Sequence, residues 1–329
     1  MSAGCAVGAE ALHIDPALET ERIVARLRDI VFNQLKRRGA VIGVSGGIDS
    51  SVVAFLCARA LGKDRTMLLL MPEADSSPDS LYLGRLVADS VGAPSRTEDI
   101  SSILRGARCY ERRDEAIRQV VPAYDDSYKC KIVLPNMIEA DRYAIFSLVV
   151  QAPDGVQTQV RLTPSAYLGI VAATNFKQRA RKMLEYYYAD LLQYAVAGTP
   201  NRLEYDQGFF VKLGDGAADL KPIAHLYKSQ VYQIAAYLGV PEEIRRRPST
   251  TDTYSLHQSQ EEFYFSMPLS KMDLCLFGKN NGIAAADLAP AVGLSEEQLA
   301  RVYSTIESRR RATHYLHAFP TLIEEVEGI

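Results

Sequence analysis

At 329 residues the chain can form one large domain or two small ones, and 47% apolar with 23% charged residues is the composition of a soluble globular protein. A net charge of −3 gives no basic footprint for nucleic acid, and no run of 18 apolar residues is present to cross a membrane. The five cysteines (Cys5, Cys57, Cys109, Cys130 and Cys275) form no C-x-x-C pair, which argues for a reducing, cytoplasmic compartment and against structural zinc.

Met1 to Ile14 has no basic stretch leading into an apolar core, so no secretory signal is expected, and residues 1–19 read as an N-terminal tail. Asp15 to Arg37 is an amphipathic helix, with Ile23, Val24, Leu27, Ile30, Val31 and Leu35 on one face. Ala40 to Val44 is an apolar run of strand length. It enters Ser45-Gly46-Gly47-Ile48-Asp49-Ser50-Ser51, a glycine turn followed by a helix that Gly62 stops. Such a turn aims backbone N–H groups and the positive end of a helix dipole at one spot, which suits phosphate. No lysine follows the glycines, so it is not the ordinary P-loop, and the spacing is not G-x-G-x-x-G.

Thr66 to Met71 is apolar on both faces, as in a central parallel strand. A helix from Ser80 to Val91 and a short strand within Pro94–Ile100 follow. Strand, helix, strand, helix, strand predicts an α/β fold with a doubly wound parallel sheet, whose ligands bind at the carboxyl ends of the strands. Residues 101–165 read as an insertion: a charged helix at Tyr110–Glu115, then candidate strands at Lys131–Pro135, Ser147–Val150 and Val156–Leu162.

The next helix is predicted over Asn175–Tyr194, with Lys177, Arg179, Arg181 and Lys182 crowding its first half. Cations there oppose the helix dipole, so either an anionic ligand or a solvated face is needed to explain them. Ala195 to Thr199 is a short strand ending in a Gly-Thr turn. Glu204 to Asp219 is too rich in glycine and carboxylate for packing and reads as a surface loop or a site. Leu226 to Leu238 is helical. Asp273–Ala289 and Ser295–Tyr315 form a helical tail, about 270–329, with a near capping box at Ser295–Gln298. Arg309-Arg310-Arg311 is a solvated face or a polyphosphate contact.

The SGG-x-DS turn resembles the pyrophosphate loop of the N-type ATP pyrophosphatases. Three pieces together resemble one family within them, ammonia-dependent NAD synthetase. They are the Ser45–Ser50 loop, the helix from Asn175 through Lys177 and Arg179, and Gly198-Thr199 followed by Glu204 and Gly208–Asp219. The resemblance implies one Rossmann-like domain over 20–329. It implies that Gly43, Val44, Ser45, Gly46, Gly47, Ile48, Asp49, Ser50 and Ser51 hold ATP with Thr199, Lys228, Ser249 and Thr250. Asp49 and Glu204 would hold Mg²⁺, with Asp49 and Lys228 central to catalysis. Arg179, Lys212 and Asp219 would bind deamido-NAD. Ser308 and Arg309 stand where the family has a His-Lys pair, and residues 101–165 are longer than in compact members.

The implied reaction adenylates the carboxylate of deamido-NAD, releasing pyrophosphate, and ammonia then displaces AMP to give NAD. The alternative is a paralogue acting on another carboxylate. No cysteine sits in a recognisable glutaminase motif, so ammonia is expected either free or from a separate glutaminase. A homodimer is implied by the resemblance.

Overall fold

The computed structural model describes residues 8–133, 146–250, 253–265 and 267–326. The first helix, α1 (Pro16–Arg28), continues as a π-helical stretch to Gln34, and Asp15 caps it by accepting from the N–H groups of Ala17 and Leu18. Then come β1 (Ala40–Gly43), α2 (Ile48–Leu61), β2 (Thr66–Leu70), α3 (Pro78–Val91), β3 (Ser95–Thr97), α4 (Ser101–Gly106) and α5 (Cys109–Arg118). The insertion supplies β4 (Lys129–Val133), β5 (Ser147–Gln151) and β6 (Gln157–Arg161). After it run α6 (Pro164–Leu192), β7 (Ala195–Val196), α7 (Arg202–Gln207), α8 (Lys228–Tyr237), α9 (Glu242–Arg246), α10 (Leu269–Asn280), α11 (Ala285–Val292) and α12 (Glu296–His317).

Four strands form a parallel sheet in the order β3-β2-β1-β7. Alternation along the strands assigns the two faces. Ala40, Ile42, Leu68 and Ala195 join α1, α2, α3 and α8 in one core, while Val41, Leu69 and Val196 face α4 and α6 in another. Val41, Ile42, Leu68 and Leu69 have no exposed surface. Burial of each contributes about 1.5–3 kcal/mol. The chain order reverses at β1, which has β2 on one side and β7 on the other. The crevice beyond its carboxyl end is therefore the expected ligand position.

The expected α/β doubly wound sheet is present. The expected helix at Asn175 begins eleven residues earlier. Thr163 caps α6 through the N–H of Ala166, with Pro164 in the first turn. The cations at 177–182 are thus at mid-helix, and the dipole argument does not apply to them. The predicted tail helix Asp273–Ala289 is two helices, α10 and α11, turned through Asn281-Gly282. Ser295 and Gln298 do form the reciprocal cap of α12.

The insertion divides in two. Its first part, α4 and α5, packs on the main sheet and on α6, with Leu104 and Cys109 buried there. Its second part is the antiparallel sheet β4-β5-β6, with its own core around Ile117, Cys130, Ile132, Leu148 and Ile170. The end of the predicted strand Lys131–Pro135 lies outside the described residues, as do residues 1–7, Thr251 and Asp252.

Candidate active site

A cleft of about 560 Å³ opens at the carboxyl ends of β1 and β2. Along one wall runs a stripe of α6, including Tyr167, Val171, Thr174, Gln178, Lys182 and Glu185. Gly43 lies against this stripe: a Cβ built there would meet Glu185 Oε1 at 2.7 Å.

Glycine shapes the phosphate loop at a second point. Gly46 has φ +76°, and its Cα lies so close to Leu83 and the Ser80 carbonyl of α3 that a side chain has no room. The loop then braces itself. Ser51 Oγ donates to the Gly47 carbonyl at 2.7 Å, Ser50 Oγ donates to the same oxygen at 3.2 Å, and the N–H of Ser45 reaches Ser50 Oγ. Gly43, Val44, Ser45, Gly47, Ile48, Asp49 and Ser50 line the cleft, as do Thr199, Ser249 and Thr250. Gly46 and Ser51 do not: one packs on α3 and the other is a buried strut beneath the loop.

Asp49 and Glu204 meet through Asn201. Asn201 caps α7, accepting from the N–H groups of Leu203 and Glu204 at 2.9 and 3.1 Å, and Glu204 returns an acceptor to the Asn201 N–H. The Asn201 amide donates to Asp49 Oδ1 at 3.1 Å. Lys228, the first residue of α8 and 2% exposed, pairs with Asp49 Oδ2. Burial and the neighbouring Asp49 charge push the Glu204 carboxyl up to about 8, against the pull of Lys228 and of Gln260, which donates to Glu204 Oε1 at 2.8 Å.

Asp49 and Glu204 offer hard carboxylate oxygens, the donor type that Mg²⁺ takes alongside substrate phosphates. Among the described residues no group of three or more acidic, His or Cys ligands exists. The chemistry of the two carboxylates fits a cation that Asp49 and Glu204 would share with a bound polyphosphate.

Other predicted residues divide. Arg179 and Lys212 line the cleft and touch each other, Arg179 Nε donating to the Lys212 carbonyl. Lys212 Nζ donates to the Tyr315 carbonyl at 2.6 Å. Asp219 lies outside the cleft and braces the end of β7, accepting from the Val196 N–H at 2.7 Å and from the Tyr186 hydroxyl. Ser308 is exposed on α12 and does not line the cleft. Arg309 stacks its guanidinium 4.3 Å from the Tyr264 ring centre, and Tyr264 is itself a cleft residue. Arg310 is half-buried and engaged by the protein: it pairs bidentately with Asp206 of α7.

Lys177 is buried away from solvent and answers to the protein. Its Nζ donates to Glu73 at 2.9 Å, Asp75 at 2.6 Å and the Thr253 carbonyl at 2.8 Å. Arg113 of α5 pairs with Asp75 from the other side.

Residues 19–122 and 137–315 match the family model for NAD synthase. The chain belongs to the NAD synthase family. Membership makes it an enzyme of the ligase class. It is 59% identical over 321 residues to the NH(3)-dependent NAD(+) synthetase of Rhizobium meliloti (strain 1021), covering 98% of this chain and 96% of that one. It is 35% identical to the protein of that name from Thermotoga maritima, over 83% of this chain and 90% of the other. An NH3-dependent NAD synthetase structure from Campylobacter jejuni superposes with a TM-score of 0.60 at 24% identity, covering 94% of this chain and all of that one. An NMN synthetase structure from Francisella tularensis gives 0.64 at 22% identity, over 94% and 99% of the two chains. These two show the fold.

Several residues in or behind the cleft of this NAD synthase family member escaped the sequence reading. Asn201 was detectable as an N-cap with Glu three residues on. Asp215, accepting from the Val211 N–H at 2.7 Å and raised by burial, lay in the Gly214-Asp215-Gly216 run but carries no obvious role there. Lys182 was noted among the helix cations but its partner Glu185, three residues on and at 2.6 Å, was not, and Gln260 has no signal in a single sequence.

Proposed function

We propose that this chain is the ligase that amidates deamido-NAD with ammonia at the expense of ATP, yielding NAD, AMP and pyrophosphate. The observation that carries the reading is the array Lys228–Asp49–Asn201–Glu204 set at the mouth of the phosphate loop, in a family member that matches synthetases of that name along nearly its whole length.

The chemistry follows from placement. The start of α2, at Ile48–Ser50, presents N–H groups to the triphosphate, and Ser249 and Thr250 line the same cleft. Asp49 and Glu204 would hold Mg²⁺, which supplies charge neutralisation on the pyrophosphate as it leaves. Lys228, buried at the start of α8, offers a fixed positive charge beside the same oxygens. Arg179 and Lys212 supply cations to the dinucleotide substrate. The substrate carboxylate attacks the α-phosphorus, and ammonia then attacks the acyl-adenylate with loss of AMP. No side-chain nucleophile is needed, because orientation and electrostatics lower the barrier.

Ammonia enters free or from a separate glutaminase. A homodimer is the proposed assembly, supported by an exposed apolar row on α6, Met183, Tyr187 and Leu191. A cytoplasmic location fits four buried free cysteines, and among the described residues no helix is long and apolar enough to cross a membrane.

A substrate panel tests the assignment. AMP release is measured with deamido-NAD and with its mononucleotide analogue, each with ammonium and with glutamine. AMP formation requiring both deamido-NAD and ammonium is expected. Faster turnover of the mononucleotide would transfer the assignment to another carboxylate.

A further inference from the structure

Of the two outer edges of the sheet β4-β5-β6, that of β4 is filled from outside the insertion. Residues two apart on a strand turn their backbone groups to the same side, so Cys130 and Ile132 present theirs to that edge. The segment 254–258 occupies it. The Cys130 N–H donates to Ser255 Oγ at 2.9 Å, the Leu256 N–H donates to the Cys130 carbonyl at 3.1 Å, and the Gln258 side chain donates to the Ile132 carbonyl. Tyr254 is buried in the core of this sheet with Cys130, Ile132 and Leu148, and Phe263 packs on the same cluster.

The far side of the same segment reaches the cleft. Gln260 binds Glu204, its N–H donates to the Ser249 carbonyl, and Tyr264 donates to the Gln207 carbonyl at 2.8 Å. Phe263, Tyr254 and Tyr264 line the cleft wall. One segment is therefore gripped by the insertion at one end and touches a proposed metal carboxylate and the nucleotide wall at the other.

We propose that the β4-β5-β6 sheet is a positioning scaffold for the nucleotide site. By taking residues 254–258 along its edge it holds Ser249, Gln260 and Tyr264 in their bound arrangement before ATP arrives. Ser255 and Gln258 are positioning residues: neither lines the cleft, and each acts through the segment that does. This deepens the ligase assignment and rests on it for its kinetic consequence. A site that is assembled only part of the time binds its ligand more weakly in proportion to the assembled fraction.

The test is the full-length double variant Ser255→Ala/Gln258→Met, which removes both side-chain ties and keeps the buried volume near Gln258. Amide hydrogen exchange at Leu256 and Gln260 is read without and with the non-hydrolysable analogue of ATP. Wild type is expected to protect both amides without nucleotide. The variant is expected to protect them only with it, and to show a KM for ATP raised about tenfold with kcat little changed. Fast exchange in nucleotide-free wild type, or a variant with wild-type exchange and KM, would overturn the scaffold. The exchange readout needs no turnover, so it stays decisive if the substrate panel fails. A variant that fails to fold is recognised by its far-UV dichroism, and the single variant Ser255→Ala then carries the same comparison with the same two outcomes.

Discussion

Two buried lysines illustrate how the same ingredients serve opposite ends. Lys177 sits among Glu73, Asp75 and the Thr253 carbonyl, with Arg113 on the far side of Asp75 and the Tyr110 hydroxyl on Glu73 at 2.8 Å. Burial pushes the Asp75 carboxyl up, but Lys177 and Arg113 outweigh it and hold the group below its ordinary value. Lys228 meets Asp49 in a comparable pocket, yet the second acid there, Glu204, is pushed up to about 8 by burial and by Asp49. The first cluster, which also takes in Asp114 on Arg113, ties α5, α6 and the loop after β2 together. The second keeps its balance through a proton on Glu204 and lies at the cleft, where a cation can take that proton's place. A raised acid beside a second carboxylate at a cleft marks the functional cluster.

The comparison breaks most visibly at Asp49. Asp49→Ala is expected to lower AMP release by roughly 10³-fold, as removal of preorganised charge at a reacting phosphate does, with a native far-UV dichroism spectrum. Unchanged turnover would reduce the Lys228 cluster to another structural one. Lys177→Met should do the reverse. It leaves Glu73 and Asp75 buried with too few partners, and a loss of about 3–5 kcal/mol in urea unfolding is expected. A smaller loss in the triple variant Lys177→Met/Glu73→Gln/Asp75→Asn would attribute the damage to stranded charge rather than lost packing.

The smallest effect sharpens the contrast with a third acid. Asp273 of α10 is fully buried and accepts from the N–H groups of Lys228 and Ser229, thereby fixing the start of α8. Burial outweighs these bonds and raises it to about 6 from 3.8. The folded state therefore binds the proton more tightly than the unfolded chain. This contribution is complete below pH 3.8 and is lost as pH rises to about 6, amounting to about 3 kcal/mol. Comparing urea unfolding of wild type and Asp273→Asn at pH 4.5 and pH 7 should show the difference between them shifting in favour of the variant at the higher pH. A constant difference would contradict the raised value.

Much of this was legible in the sequence because its causes are local. The apolar run at Ala40–Val44, the glycine turn and the helix after it are contiguous, and they located β1, the phosphate loop and α2. Alternation over Val156–Leu162 located β6. The start of α6 was not found, although Thr163-Pro164 is a cap signal. Ala166, Ile170 and Ala173 form a buried face, but Leu168 is apolar and exposed on the other side, which blurs the helical period. The charges on α6 were visible and their partners were not, since Glu73 and Asp75 lie about a hundred residues away and only the fold brings them to Lys177. Asp219 was assigned to substrate on resemblance, and its carboxylate is engaged with the backbone of β7. Ser51 belongs to the phosphate loop by sequence, but its hydroxyl is used inside the turn.

The seating of residues 254–258 along β4 also bears on solubility. A strand edge with unpaired N–H and C=O groups is a template for pairing with a neighbouring chain. Here the β4 edge is already occupied, and the opposite edge strand, β6, carries Gln157, Thr158, Gln159 and Arg161, mostly exposed and polar. A small sheet appended to a larger enzyme is thus kept from recruiting other molecules by a stretch of the same chain that reaches the cleft.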